Sequence, residues 1–390
     1  MKLISRRLLL TVIVLGFSIP PAGAQDPLLI RLGTVAPRGT PWERQMKRTE
    51  KKLGEALGAM KMKSYFGGAK GDEKSSVRQV RDGRLEMAGV SVGAIATAAP
   101  DLQLLELPYL FQSSAEADFV LDKYARPVIE DILIKKGFVL YQLAENGWQN
   151  FGSKDGFIKK PADLKGRKMR SQESPVHLAT WKAFGAAPVE MGVSEVLPAL
   201  KTGLVEGFAN TPLYTFATGW QKGIGYYTVS RHLYQPGVIV YSKKWFDKQP
   251  EEIQKTLVET DVEGGQAFAR KGLRAIEKGL IDNFRREGIE LHELTAAEKK
   301  PFIEIAKKLR KQQERKASKD GKRLLAAIRK GKADFAKRCR DLSLGSRSGI
   351  DAASDRCTRL PPRARDGGGG DHRNDRGHRT CGSLACVLGV

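Results

Sequence analysis

Between Asp163 and Pro212 the chain writes one short unit twice: a strand-like run, a turn, and a helix with its own start signal. In the first copy Lys168, Met169 and Arg170 form the strand. Ser174 followed by Pro175 then marks a helix start, because serine caps orphan N–H groups and proline suits the first helical position. In the second copy PVEM is the strand, Ser194 and Glu195 open a helix through Leu200, and GFAN leads to a turn at Thr211 and Pro212, so that Asn210 ends a strand. A chain built from such units is confined to α/β architecture, with helices on the sheet faces and ligands taken at the carboxyl ends of strands. The Arg170 guanidinium would leave its strand close to a helix N-terminus, where unpaired N–H groups and the helix dipole favour an anion and arginine adds a planar fork that fits a carboxylate.

The same rhythm runs through the rest of the chain. Leu28 to Leu32 reads as a strand, Trp42 to Leu57 as a helix with Pro41 in its opening turn, Met62 to Tyr65 as a strand, Glu73 to Arg81 as a helix and Leu85 to Val90 as a strand. Ser113 with Glu116 predicts a capping box for a helix reaching towards Gly137, after which Val139 to Leu143 is a strand. GVIVYS after Pro236 is another strand, and Pro250 opens a long helix that carries Ile276, Leu280 and Phe284 on one face and ends at Gly288.

Taken in order, LGTVAP, FGGAKGDEKSSVRQVRDGRLEMAGVS, LELPYLF, DLKG, the strand ending in Arg170, GAAPVEM, SEVLPALKTGLVEG and the strand ending in Asn210 resemble the extracytoplasmic solute-binding subunit of TRAP (tripartite ATP-independent periplasmic) transporters, the DctP-like family. The resemblance covers roughly residues 28 to 330 and rests on order and spacing, since no single motif suffices. It implies an α/β fold of the periplasmic binding protein type: two lobes with a ligand cleft between them and a long C-terminal helical region. Crossings between the lobes fall near Glu145 to Gly147 and near Pro236. This gives lobe I as about 25–146 with 236–275, and lobe II as about 147–235 with 276–335. It further implies small and large membrane subunits as partners, and uptake driven by an ion gradient rather than by ATP.

Within that family the arginine of the K-x-R strand forms the salt bridge to a solute carboxylate, and Arg170 holds that position; Asn210 would hydrogen-bond the same end of the solute. Many relatives place a second basic residue, as G-x-R, in the segment matching NGWQNFGSK, where this chain has Gln149. Glutamine donates a hydrogen bond without charge, so the expected ligand carries one carboxylate, or an uncharged polar group in place of the second. Trp148 would offer an aromatic wall. From the first lobe Trp42 and the strand end at Ser91 would face the cleft, and Tyr214 follows Asn210 as a further candidate.

At 390 residues and 41% apolar composition the chain suffices for two domains with a sizeable core. Lys2, Arg6 and Arg7 precede an apolar run from Leu8 to Ile19, and Ala22, Gly23 and Ala24 make a small-residue cleavage site, so residues 1–24 read as a secretory signal cleaved near Ala24 and directed to the periplasm. About 12 apolar residues are too few for a membrane-spanning helix of about 20. All four cysteines, Cys339, Cys357, Cys381 and Cys386, fall near the C-terminus. There, from about Ala336, apolar periodicity gives way to Arg, Asp, Gly and Ser, a composition that reads as a disordered tail over 336–390 and also fits a reading-frame artefact, with no bridges expected. His372 and His378 beside Cys381 match no common zinc spacing.

The formal charge of +23 invites a nucleic-acid reading. The cations, however, are interleaved with acids along helices, with no aromatic platform or nucleic-acid motif, and fit a solvated basic surface that draws anionic solutes. The basic run from Lys299 to Lys332 lacks the clean apolar face of an interfacial helix. Before the tail the histidines are His177, His232 and His292, outside any metal-ligand spacing; a Walker-type loop is missing, and FGGAKGDEK reads as a turn. The expectation is therefore a binding protein for a small organic acid, not an enzyme, with no cofactor and no metal. A sensing module using the same cleft, or an exported enzyme acting on an organic acid, is the alternative. The solute and the oligomeric state are not legible in the sequence.

Overall fold

Strand-to-helix units in the first third of the chain build a parallel sheet edge, as their patterning requires. The computed structural model describes residues 27–345; the signal segment 1–24 and the tail beyond 345, with Cys357, Cys381, Cys386, His372 and His378, lie outside the described residues. β1 (Leu28–Gly33), α1 (Pro41–Leu57), β2 (Met60–Tyr65), α2 (Glu73–Asp82), β3 (Met87–Ser91) and the short α3 (Val92–Ile95) come first. A 3-10 turn (Pro100–Glu106), α4 (Ser114–Val120), a π-turn (Leu121–Ala125) and α5 (Arg126–Lys135) lead to β4 (Phe138–Ser153). Then follow β5 (Lys168–Ser171), α6 (Pro175–Phe184), β6 (Ala187–Glu190), α7 (Val196–Thr202), β7 (Gly207–Asn210), α8 (Pro212–Ala217) and β8 (Tyr226–Ser242). α9 (Lys243–Phe246), α10 (Glu251–Glu259), α11 (Val262–Arg286), β9 (Glu290–Glu293), α12 (Ala296–Lys316) and α13 (Lys319–Gly345) complete the described chain.

The strands lie in the order β2-β1-β3-β8-β4-β7-β5-β6, with β9 on β8. β4 and β8 are long antiparallel partners, paired from Phe138 opposite Ser242 to Ser153 opposite Tyr226, and they run through both halves of the molecule. One end of this ribbon carries β3 with β1 and β2, and the other carries β7 with β5 and β6, so the fold has two α/β lobes joined by a shared ribbon. The register shifts between Glu145 and Gly147, opposite Pro236 and Gln235, and Gly147 has φ +106°. A bulge of this kind bends and twists a ribbon, and glycine supplies the left-handed backbone it needs.

Four local expectations are corrected. Ser174 occupies the N-cap of α6, but its side chain makes no cap bond and its buried hydroxyl has no partner, so proline alone opens the helix. The long helix expected after Pro250 is two helices, α10 and α11, broken at Asp261, whose φ of +53° is left-handed. That conformation is held by a bidentate contact from Arg48 at 2.7 and 2.8 Å. Residues 336–345, expected in the tail, continue α13: Phe335 packs at 5.6 Å from Phe119, and Cys339, disulfide-bonded against the expectation of no bridges, extends the buried stripe of Leu324, Leu325 and Ile328. Finally, the stretch given to one lobe divides. α12 packs on α6, whereas α13 packs on the elements between Pro100 and Lys135, where Lys135 meets Asp320 at 2.6 Å and Tyr124 meets Asp334 at 2.8 Å.

His232 lies in the core of the second half, stacked on Phe151 at 4.2 Å and bonded through Nδ1 to Ser230 at 2.7 Å. Burial lowers its pKa to about 3, so folding favours the neutral ring. Below the ordinary value of about 6.5 the unfolded chain takes up the proton first and native stability falls as pH falls. Relative to a His232→Gln variant, the native protein is expected to lose about 2 kcal/mol between pH 6.5 and 5. Urea unfolding of both proteins at the two pH values measures it.

Candidate functional site

Carboxyl ends of strands from both lobes meet at one cleft. β1 leads into Thr34 and Val35, β3 ends in Ser91, β5 brings Arg170 with Gln172 just beyond it, and β7 ends in Asn210. The first turns of α1, α2 and α8 add Trp42, Glu73 and Tyr214, and the ribbon adds Asn146 and Gln235 at its bulge. This is where an open α/β sheet takes a ligand.

Arg170 is 5% exposed and makes no ion pair with any carboxylate among the described residues. One Nη donates to the Met191 carbonyl at 3.2 Å, the guanidinium lies 5.1 Å from the Trp220 ring centroid, and Nε has no partner. Burial lowers its pKa to about 10, opposed by Tyr214, Glu73, Glu173 and Glu195, so it stays protonated at neutral pH. A desolvated cation held by one carbonyl and a ring face carries unspent donor capacity, which an oxyanion would fill.

Asn210 is arranged to present donors. Its Oδ1 accepts the Thr211 N–H at 2.8 Å and its carbonyl accepts the Tyr227 hydroxyl at 3.2 Å, leaving the side-chain NH2 group at the cavity wall. The Tyr214 hydroxyl donates to the Val35 carbonyl at 3.5 Å, reaching across from the second lobe to the first, and burial pushes this phenol above its ordinary pKa. Trp42 lies over Gly89 and Gly237; a Cβ there would stand 2.9 and 3.0 Å from the ring, so both glycines make room for an aromatic floor.

Trp148 and Gln149 are placed elsewhere. Trp148 packs edge-to-face on Tyr234 at 5.3 Å, its indole N–H donating to Ser114 at 3.0 Å, and borders a separate small hollow with Leu273 and Leu280. Gln149 is buried opposite Leu233 between β4 and β8, and its Oε1 has no protein partner. The bulge at Glu145 to Gly147 resets the strand's alternation, so Asn146 is the member of NGWQNFGSK that reaches the cleft. Trp148→Phe is therefore expected to cost about 1 kcal/mol of stability through the lost hydrogen bond and to leave solute affinity unchanged, as chemical denaturation and calorimetric titration would register.

Glu73, Gln172, Gln235, Asn146 and Trp220 were not singled out by sequence reasoning. Glu73 stood inside the glycine-rich segment read as a turn, and Gln172 two residues beyond Arg170 in RSQESP. Distance from a strand end was the available signal for Gln172; nothing local marked Asn146 or Gln235, which meet only through the ribbon.

A family model described as bacterial extracellular solute-binding protein, family 7 (DctP) matches residues 32–316. The chain belongs to this family. A protein of Verminephrobacter eiseniae named as a solute-binding protein is 31% identical over 67% of this chain and 78% of its own. The 2,3-diketo-L-gulonate-binding periplasmic protein YiaO of Escherichia coli is 29% identical over 63% of this chain and 74% of its own. Among solved structures, a TRAP periplasmic solute-binding protein from Citrobacter koseri with bound D-glucuronate superposes with a TM-score of 0.71 at 29% identity, covering 77% of this chain and 98% of that one. The two-lobe architecture is thus that of family 7, and the protein is an extracellular solute-binding protein of that family. Its relatives are extracytoplasmic binding proteins rather than enzymes.

Proposed function

We propose that the mature protein works in the periplasm, released after a signal cleaved near Ala24, and captures a monocarboxylic, polyhydroxylated acid of about six carbons for delivery to the small and large membrane subunits of a TRAP transporter. The observation that carries this reading is Arg170: a buried guanidinium, free of any carboxylate partner among the described residues, in the wall of a cleft. Asn210 donates to the same carboxylate, Trp42 packs against the carbon skeleton, and the carboxamides of Asn146, Gln172 and Gln235 suit hydroxyl groups. The relatives support the size class, since one is named for 2,3-diketo-L-gulonate and another holds D-glucuronate.

The work is binding and closure, without a chemical step. Tyr214 to Val35, Gln172 to Ser91, and Lys74 to Glu173 at 3.7 Å join segments of the two lobes, and a solute touching both stabilises the closed state by differential affinity. We assign 27–146 with 236–275 to the first lobe and 147–235 to the second, with α12 on the second and α13 on the first. A thermal-shift screen of the mature protein against hexuronic, aldonic and keto acids, with the parent sugars as neutral controls, tests the reading. Acids are expected to raise the melting temperature by mass action and sugars to leave it unchanged. Stabilisation by neutral sugars alone would overturn it.

A further inference from the structure

Facing Arg170 in the cleft is a carboxylate locked in place from both lobes. Oε1 of Glu73, at the first turn of α2, accepts the Ser91 N–H at 2.6 Å, and its Oε2 accepts the Ser91 hydroxyl at 2.8 Å. The Ser91 oxygen itself accepts the Ala94 N–H at 3.2 Å and Gln172 Nε2 at 2.8 Å. A hydroxyl has two lone pairs and one proton. With both lone pairs engaged, its proton is committed to Glu73. Gln172 Nε2 also lies 3.4 Å from Glu73 Oε2, while Gln172 Oε1 accepts from Gln235 at 2.9 Å. Burial pushes the Glu73 carboxyl above its ordinary range, opposed first by the Ser91 amide, then by its hydroxyl. All three contacts are donors to Glu73, which is the pattern an ionised carboxylate requires.

Besides Arg170, the one cation among the residues lining the cleft is the half-exposed Lys74. Lys74 is taken by Glu173 at 3.7 Å, and Asp72 caps α2 by accepting the Ser75 N–H at 2.7 Å. Gln149 is uncharged and buried away from the cleft. A ligand anchored by one carboxylate on Arg170 therefore meets fixed negative charge at Glu73.

We propose that Glu73, held by Ser91 and Gln172, is a charge filter: it accepts hydroxyl hydrogen bonds from the body of a monocarboxylic sugar acid and excludes the diacid of the same carbon skeleton. This rests on the carboxylate reading of Arg170 and adds what selects among carboxylates. Like charges brought together at a binding surface cost several kcal/mol, so discrimination of about tenfold or more is expected.

The test is calorimetric titration of the mature protein at pH 8 with D-gluconate, D-glucuronate, D-glucarate and glucose. Glucarate differs from the other two acids by a second terminal carboxylate. Wild type is expected to bind at least one monoacid about tenfold or more tightly than glucarate, and Glu73→Gln to narrow that ratio to about threefold or less. Wild type that binds glucarate as tightly as the monoacids overturns the filter without recourse to any variant, as does a ratio that Glu73→Gln leaves unchanged. Failure of all three acids to bind, or glucose competing with them equally, overturns the underlying Arg170 reading instead.

Discussion

Arg170→Ala is expected to weaken binding of the solute by about 2–5 kcal/mol, the range for removing one partner of a buried charge pair. The guanidinium is already desolvated before the solute arrives, with only the Met191 carbonyl and the Trp220 face compensating it. The solute carboxylate thus meets a cation whose dehydration cost was met in folding, and preorganisation of that kind converts into affinity. The same argument predicts the opposite sign for the empty protein. An uncompensated buried charge opposes folding, so Arg170→Ala without solute should unfold at the same temperature as wild type or higher, provided that the space left stays small or hydrated. Lower affinity together with undiminished stability is the signature of a binding residue; an affinity within about threefold of wild type would remove Arg170 from the site. Arg170→Lys keeps the charge but loses the planar fork and the ring contact, and should recover only part of the loss.

Why the placement of Arg170 and Asn210 at the cleft was legible, and that of Glu73, Asn146 and Gln235 was not, follows from how each is positioned. The first two end short strands whose helices begin within a few residues, so local signals of proline, capping residue and strand length place them at a sheet edge. Asn146 and Gln235 come from the ribbon's bulge, which depends on pairing between segments nearly ninety positions apart. With regular alternation Trp148 was a reasonable cleft residue; the register shift turned it into the core. The division of α10 from α11 has the same origin, since the left-handed Asp261 is stabilised by Arg48 from the other end of the first lobe. By contrast, the reach of α13 to Gly345 was present in the sequence: Leu324, Ile328, Phe335 and Cys339 recur at helical spacing, and the rise in Arg and Asp around them masked the stripe. The sheet, set by short apolar strands and proline-opened helices, was therefore readable, whereas features made by long-range pairing were not.

Behind the cleft a second charged group is expected to matter even more for the folded state. Glu106, fully buried at the end of the 3-10 turn, accepts the Gly93 N–H on Oε1 at 2.8 Å and meets His177 Nε2 on Oε2 at 2.6 Å. Gly93 follows Ser91, which holds Glu73, and His177 lies in α6, the helix that follows Arg170's strand. One carboxylate therefore fixes the spacing between the two walls of the cleft. Gly93 leaves room for it: a Cβ there would stand 2.6 Å from Glu106 Oε2. Glu106→Ala removes the partner of a buried N–H and of a buried imidazole at once and opens a cavity between the lobes. The expected loss is about 3–5 kcal/mol of unfolding free energy, the cost of breaking a buried pair by deleting one member. Urea denaturation of the unliganded protein measures it. Glu106→Gln keeps the volume and an acceptor for Gly93, so it should recover about half of the loss, because a neutral bond to His177 replaces a charge-assisted one. Solute affinity should fall in both variants, less in glutamine than in alanine, since the Arg170 and Glu73 walls lose their common support. If Glu106→Ala proved as stable as wild type, the ribbon and the contacts of Tyr214, Gln172 and Lys74 across the cleft would suffice to hold the two lobes in register.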